Sequence, residues 1–383
     1  MNDLITIIKE RCVNDGFLGW LHLLMLMDDT VILATTRERF IEKMAIVYEF
    51  CDNNRMGVNN GKTKFMVLNG DEEDKAPVAI VDNVISYSKM YMYLGSIFVD
   101  DCNMNSDVEN HARDKSKQLD KLSIFLHTNV DFPFCVKQKV VTAAFNAAIL
   151  YGAETWTGAC LKPIETLYMR GIKLLLGVRI STSHDCCLLE LGMPPLQALV
   201  QQRQFNFLSK TILERQDLAD DPFMHVMHLT RRHNRPLARK IDLLLSVSDH
   251  VTQGVRALQE RVRQSPRTRA RTYRELNPQF VTHPFYNRRD VQVPEYMRLS
   301  WTRFRLSSHN LRVETGRWSR TLRENRLCQC GSVQDEAHVL CFCRKTQFLR
   351  DRHDLFIDFP DILHSEEIDV LRYVHDVFSF DHR

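Results

Sequence analysis

The run Leu21-His22-Leu23-Leu24-Met25-Leu26-Met27-Asp28-Asp29-Thr30-Val31-Ile32-Leu33-Ala34 constrains this chain more than any other: an apolar stretch, two adjacent carboxylates, then a second apolar stretch. Each flank is long enough for a buried strand and too short for an independent helix. The segment therefore reads as a β-hairpin with Asp28 and Asp29 at its tip. Adjacent carboxylates repel one another and sit near a core only when a metal cation, Arg or Lys balances them. Paired acidic side chains that offer oxygens to Mg²⁺ serve phosphoryl-transfer sites. The alternative is an acidic turn facing water.

Beyond the hairpin the chain alternates between helical and strand-like periodicity. Thr35 and Glu38 are spaced as a capping box, and Ile41, Met44, Val47, Tyr48 and Cys51 recur at helical spacing, with Gly57 beyond the helix end. Asn60-Gly61-Lys62-Thr63-Lys64 runs into the strand-like Phe65-Met66-Val67-Leu68. An acidic turn (Asp71 to Asp74) and a short hairpin around Asp82-Asn83 lead to Tyr91-Met92-Tyr93-Leu94-Gly95-Ser96-Ile97-Phe98. From Ser106, in a Ser-x-x-Glu box with Glu109, the pattern turns helical. Val108, Ala112, Leu119, Leu122 and Leu126 line one helix, and Val136, Val140, Ala144, Phe145 and Ala148 the next. Pro163 opens a third and Pro194-Pro195 precede a fourth. The fold class expected is α+β. Residues 264–296 carry Pro266, Pro278, Pro284 and Pro294 with weak periodicity and form the linker candidate.

Taken in this order, the segments resemble the reverse transcriptases of non-LTR (LINE-type) retrotransposons. In that family the hairpin reads Tyr-Ala-Asp-Asp and is followed by a helix, an Asn-x-x-Lys-Thr-Lys element and a Tyr-Leu-Gly primer grip. Leu150-Tyr151-Gly152-Ala153-Glu154-Thr155-Trp156 is similar to a sequence of the family's thumb region. His309-Asn310-Leu311-Arg312-Val313-Glu314-Thr315-Gly316-Arg317-Trp318 and the Cys/His cluster after it resemble the C-terminal region. The likeness is vaguer over 215–295. It implies a partial palm over 1–100, a helical thumb-like bundle over 101–215, a basic RNA-binding segment over 216–326, and a zinc knuckle with C-terminal helices over 327–383.

The reaction so implied is RNA-directed DNA synthesis, with an RNA template and a DNA primer as partners. Two Mg²⁺ ions assist attack of the primer 3′-hydroxyl on a nucleotide α-phosphate. Asp28 would be the principal Mg²⁺ ligand and Asp29 a secondary one; Tyr93, Leu94 and Gly95 would hold the primer; Lys62 and Lys64 would lie near the triphosphate. Two departures stand out. Leu26-Met27 replaces Tyr-Ala, removing the tyrosine that abuts the primer terminus. A two-metal palm also needs a further Asp on an earlier strand, yet only 27 residues precede Asp28. Of their acidic residues, Asp3 and Glu10 lie on a short expected helix from Asn2 to Arg11. The fragment is therefore expected to be catalytically incomplete. The rival readings are a non-catalytic nucleic-acid-binding relic or domesticated protein, and a subunit whose missing palm half another chain supplies.

A formal net charge of +3 conceals an asymmetry. Between Arg231 and Arg326 there are 22 Lys+Arg against 8 Asp+Glu, and of the cations only Lys240 is lysine. Arg binds phosphate with a planar fork and stacks on bases. Tyr273, Phe280, Phe285, Tyr286, Tyr296, Trp301, Phe304 and Trp318 are interleaved with it, a composition suited to single-stranded or structured RNA. Arg267, Arg269, Arg271, Arg303, Arg305, Arg317 and Trp318 are the candidate contacts. The alternative is a solvated basic face with the aromatics in a local core.

Eleven cysteines, odd in number and irregular in spacing, argue against a disulfide framework and read as intracellular thiols. No run approaches the roughly 20 apolar residues of a membrane span, and no signal peptide opens the chain. An intracellular location, nuclear or cytoplasmic, is expected. Cys328, Cys330 and His338, with either Cys341 or Cys343, can close a tetrahedral Zn²⁺ site. The family resemblance favours Cys343 by its spacing from the histidine. The alternative is a set of reduced thiols in a small core. The knuckle is expected to be poor in core residues and isolated from the thumb by the linker.

Overall fold

The apolar runs flanking the two aspartates pair as antiparallel strands β1 (Leu23–Leu26) and β2 (Asp29–Ile32), with Leu26 opposite Asp29. Met27 and Asp28 form the turn, Met27 with a φ of 57°. Before them lies α1 (Asn2–Arg11), and after them α2 (Arg37–Asn53). The computed structural model describes residues 2–12, 15, 21–68, 70–80, 82–218, 221–287, 293–354, 358–365 and 367–380. The N-cap of α2 is Thr36, whose side chain accepts from the Arg39 N–H, rather than Thr35. Thr35 is turned instead toward the buried Asp15 and donates to it from both its backbone and its hydroxyl.

Strand β3 is shorter than the apolar run after Lys64 suggests, only Lys64–Phe65, and it pairs parallel to β5 (Asn83–Tyr87). Antiparallel to β5 on its other side is β4 (Val78–Ile80), with Ile80 opposite Asn83. A further hairpin joins β6 (Met90–Tyr93) to β7 (Ser96–Val99). Its two turn residues, Leu94 and Gly95, both take positive φ (49° and 79°). That is the turn whose twist matches paired strands, and glycine enters it at little cost.

The helical pattern then runs as α3 (Met104–Lys115), α4 (Lys117–Thr128), α5 (Phe134–Val140), a wide π-type turn over Val141–Asn146, α6 (Ala147–Ile149), α7 (Lys162–Leu176), α8 (His184–Leu191) and α9 (Leu196–Arg215). The stripe from Val108 to Leu126 is thus two helices broken at Ser116, and the first begins at Met104, ahead of the Ser106 box. After them come α10 (Pro222–His233), α11 (Arg235–Leu245), α12 (His250–Gln264), α13 (Thr268–Leu276), α14 (Glu295–Arg305), α15 (Arg312–Thr315), α16 (Gln347–His353), α17 (Phe359–His364) and α18 (Ile368–Ser379). The architecture is α+β, mostly helical, with three small sheets among the described residues. Among the described residues no helix is long and apolar enough to cross a membrane.

These elements gather into two compact units. The first comprises Met1–Arg113, Gly152–Leu161 and Arg203–Val247. In it α2 is buried on two sides. Ile46, Val47 and Phe50 pack with Leu4 and Ile8 of α1 and Leu23 of β1, while Met44 packs with Val78, Ile80 and Ile85. The fully buried Lys43 lies 2.9 Å from Asp15 Oδ2 and donates to the Asp15 and Leu33 carbonyls. Asp15 therefore has a structural partner on α2. A separate small core joins Leu208, Met227, Ile241 and Leu244.

The second unit comprises Asp114–Tyr151, Lys162–Gln202 and Ser248–Arg383. One of its cores holds Trp301 and Phe304 of α14 with Val370, Leu371, Val374 and Val377 of α18. Each fully buried large apolar side chain contributes about 1.5–3 kcal/mol through water exclusion. The Pro-rich stretch 264–296 is not a linker. Its described residues include α13 and the buried Tyr273, Leu276, Phe285 and Tyr286. Aromatic side chains taken into the core outweigh the prolines, which sit at helix starts and in turns where no backbone N–H is needed.

Candidate metal centre

Arg326, Leu327 and Cys328 enter a tight turn. Leu327 bridges to Val333, the Cys328 N–H donates to the Ser332 carbonyl (2.7 Å), and the Gly331 N–H donates to the Cys328 carbonyl (2.9 Å). Gly331 takes a φ of 90°, which favours a residue without Cβ. Asp335 then caps the next turn, its carboxylate accepting from the His338 N–H (3.0 Å). The chain continues in a wide π-type turn over His338–Phe342, a form found often at functional sites. Cys343 leaves that turn in extended geometry, its N–H held by the His338 carbonyl (2.7 Å).

The result brings one ligand atom from each of Cys328, Cys330, His338 and Cys343 within 4.8 Å of the others. Cys328 Sγ lies 3.7 Å from Cys343 Sγ, Cys343 Sγ 4.0 Å from Cys330 Sγ, and Cys330 Sγ 3.1 Å from His338 Nε2. Sulfurs held about 2.3 Å from a tetrahedral Zn²⁺ would be about 3.8 Å apart. Three thiols and an imidazole at these separations can hold a metal ion such as zinc. Cys341 is not in the cluster. It packs against the core of the second unit that holds Trp301 and Phe304, where burial pushes its thiol up to about 11.

The surroundings rigidify the four positions. Arg350 donates to the Cys343 carbonyl (2.6 Å) and to the Thr346 hydroxyl (3.0 Å), and the Tyr373 hydroxyl donates to the Leu340 carbonyl. The Gln334 side chain accepts from the Arg312 N–H (2.7 Å). His309 Nε2 is 2.9 Å from Glu336 Oε1; burial alone would raise that carboxyl, but the His309 hydrogen bond and charge hold it below its usual range. Contrary to the expectation of an isolated polar knuckle, Val339 and Leu340 are fully buried in the same core as Trp301 and Phe304. The two apolar residues between His338 and Cys341 weld the cluster to α14 and α18.

The remaining predicted residues are placed unevenly. Asp28 and Asp29 are exposed at the hairpin tip, and among the described residues no third carboxylate, His or Cys joins them in a group that could hold a metal. Tyr93 ends β6, and Leu94 and Gly95 make its turn. The neighbouring Tyr91 hydroxyl donates to the Lys62 carbonyl (3.3 Å), so the turn around Lys62 touches this hairpin. Lys62 is exposed, and Lys64 Nζ donates to Ser86 Oγ (2.8 Å).

The basic segment is corrected more deeply. Arg305 is 2% exposed and grips Glu190, itself fully buried, through Nε (2.6 Å) and Nη2 (3.1 Å), so it cannot touch a nucleic acid. Tyr273 and Tyr286 hydroxyls donate to the same carboxylate, each at 3.0 Å. Arg269 and Arg317 both pair with the buried Glu314 (2.8 and 2.9 Å). Six of the eight interleaved aromatics are buried; Tyr296 and Trp318 are exposed. Arg267, Arg271, Arg303 and Trp318 keep exposed positions. Glu190 and Glu314 escaped sequence reading because nothing local marks a carboxylate for a partner far along the chain.

The chain matches no known family and no curated protein.

Proposed function

We propose that this chain is the C-terminal portion of a LINE-type RNA-directed DNA polymerase, with Zn²⁺ held by Cys328, Cys330, His338 and Cys343 in a structural role. The observation that carries the reading is the Cys3His cluster: it uses Cys343, the ligand that the family resemblance implies, and excludes Cys341. Four protein ligands leave no open position for a catalytic water, so the metal would hold the fold rather than perform chemistry. Asp28 and Asp29, at the tip of their hairpin, would be the Mg²⁺ ligands, with the Leu94-Gly95 turn close to the primer. RNA would bind through exposed arginines of the second unit, with affinity falling as salt rises by a log–log slope of roughly −0.7 per phosphate contact.

A second reading is favoured by one observation, the exposure of Asp28 and Asp29 without a third carboxylate among the described residues. On that reading the 383 residues bind nucleic acid without polymerising. Primer extension on an RNA template with Mg²⁺ or Mn²⁺ tests whether this polypeptide polymerises by itself. The polypeptide alone is expected to give no extension. Extension that disappears in Asp28→Ala would assign catalysis to this chain by itself.

A further inference from the structure

The exposed part of the second unit contains a cation cluster organised around one aromatic ring. Trp318, 59% exposed, has the Arg179 guanidinium carbon 4.6 Å from its ring centroid. Arg179, half-buried, is oriented by Asn310, which accepts from Nη2, and its Nη1 is buried with no hydrogen-bond partner among the described residues. Arg303 donates from Nε to the Gly177 carbonyl (2.9 Å), two residues before Arg179, and no carboxylate pairs with it among the described residues. Arg269 and Arg317 are close by, joined to Glu314. Arg179, Arg269, Arg303 and Arg317 taken with Glu314 carry a formal charge of +3. The crowding is felt: burial and the charges of Arg269 and Arg303 lower the pKa of Arg179 despite Glu314.

A solvent-exposed tryptophan beside arginines that outnumber their carboxylate has little reason to persist as packing. Its large apolar face stays wet and its cations repel. Both costs are relieved by a ligand that is planar and anionic at once. A nucleotide is such a ligand: its base stacks on an aromatic face and its phosphate takes the guanidinium fork. In a duplex the base faces are already stacked, so the ring selects unpaired strands.

We propose that Trp318, Arg179 and Arg303 form a subsite for single-stranded nucleic acid, one base lying on Trp318 and the adjoining phosphate held by Arg303 with Arg179. The subsite deepens the reading of the chain as an RNA-binding polymerase fragment and rests on it. Asn310 positions Arg179, and Glu314 keeps Arg269 and Arg317 from swinging into the base position.

The test is fluorescence anisotropy of a labelled single-stranded RNA with the full-length protein over a range of salt, beside an unlabelled duplex of the same sequence and a polyglutamate peptide as competitors. Trp318→Ala is expected to weaken binding roughly tenfold at every salt concentration, leaving the salt slope unchanged, because stacking carries no charge. Trp318→Phe retains most of the affinity. Arg303→Gln weakens binding and reduces the slope by about 0.7, the value for one lost phosphate contact. Duplex RNA competes poorly. Unchanged thermal melting of the variants shows that the losses are at the surface. If the wild type binds RNA with the expected salt dependence and Trp318→Ala binds as tightly, the subsite is wrong while the RNA-binding reading stands. If the wild type binds no single-stranded RNA, both fall. Displacement of RNA by polyglutamate at equal charge would assign the cluster to an acidic protein partner and overturn the proposal.

Discussion

Cys343→Ser is expected to abolish stoichiometric zinc binding and to lower the thermal midpoint by more than about 10 °C, whereas Cys341→Ser leaves the metal content at one per chain. The difference arises from position. Cys343 Sγ is 3.7 Å from Cys328 Sγ and 4.0 Å from Cys330 Sγ, while Cys341 lies against core side chains. A structural zinc site supplies on the order of 10 kcal/mol of folding free energy, comparable with the whole stability of a typical domain. The loss should not stay local. Val339 and Leu340, between two ligands, are part of the core formed by α14 and α18, so chelation is expected to expose amides on both helices together with those of the knuckle. Elemental analysis and hydrogen exchange with and without a chelator measure this. Equal effects of the two serine variants, or exchange confined to 326–344, would reverse the assignment.

Glu190→Ala is expected to destabilise the second unit by about 3–5 kcal/mol, the cost of leaving a buried guanidinium without its counter-charge. Four hydrogen bonds converge on that carboxylate, two from Arg305 and one each from Tyr273 and Tyr286. The tyrosines are themselves braced, Tyr286 by Thr302 and Tyr273 by Asn277 (both 3.0 Å). Removing the acceptor therefore strands donors from α13 and α14 at once. Arg305→Met alone leaves an uncompensated carboxylate and should cost a similar amount. The double variant Glu190→Leu/Arg305→Met should recover part of the loss, since an apolar pair of similar volume avoids the desolvation of both charges while the Tyr273 and Tyr286 hydroxyls still lose their acceptor. Denaturant unfolding of the wild type, Glu190→Leu, Arg305→Met and the double variant closes the cycle. Additive losses would mean that the pair is not coupled as its geometry indicates.

The two hairpins at Asp28-Asp29 and Asp82-Asn83, α1, the start of α7 around Pro163 and the start of α9 after Pro195 are all legible along the chain. Each is written in contiguous residues: apolar runs around a polar turn, or a proline whose fixed φ suits a first helical turn. Cys328, Cys330 and His338 are legible for the same reason, while spacing alone leaves Cys341 and Cys343 as alternatives for the fourth position, and only the structure brings Cys343 to the cluster. Legibility ends where two local signals compete. The sequence points to Thr35 as the cap, but the buried Asp15 carboxylate takes Thr35, and Thr36 caps α2.

The charged residues divide the chain's information most sharply. By itself the sequence determined that an arginine-rich, aromatic-rich region exists and that a Cys/His cluster comes after it, because composition and spacing are properties of the chain. Only the tertiary structure decided what each arginine does. Arg303 and Arg305 are two residues apart on α14, yet Arg303 is exposed while Arg305 is buried against Glu190, 115 residues away. Helical rotation of about 100° per residue turns these two side chains to different faces. Which face meets a carboxylate depends on packing between distant segments, and no local pattern encodes that. Desolvation then makes the choice binding: once Arg305 is out of water, its charge is committed to Glu190 and is no longer available to a phosphate.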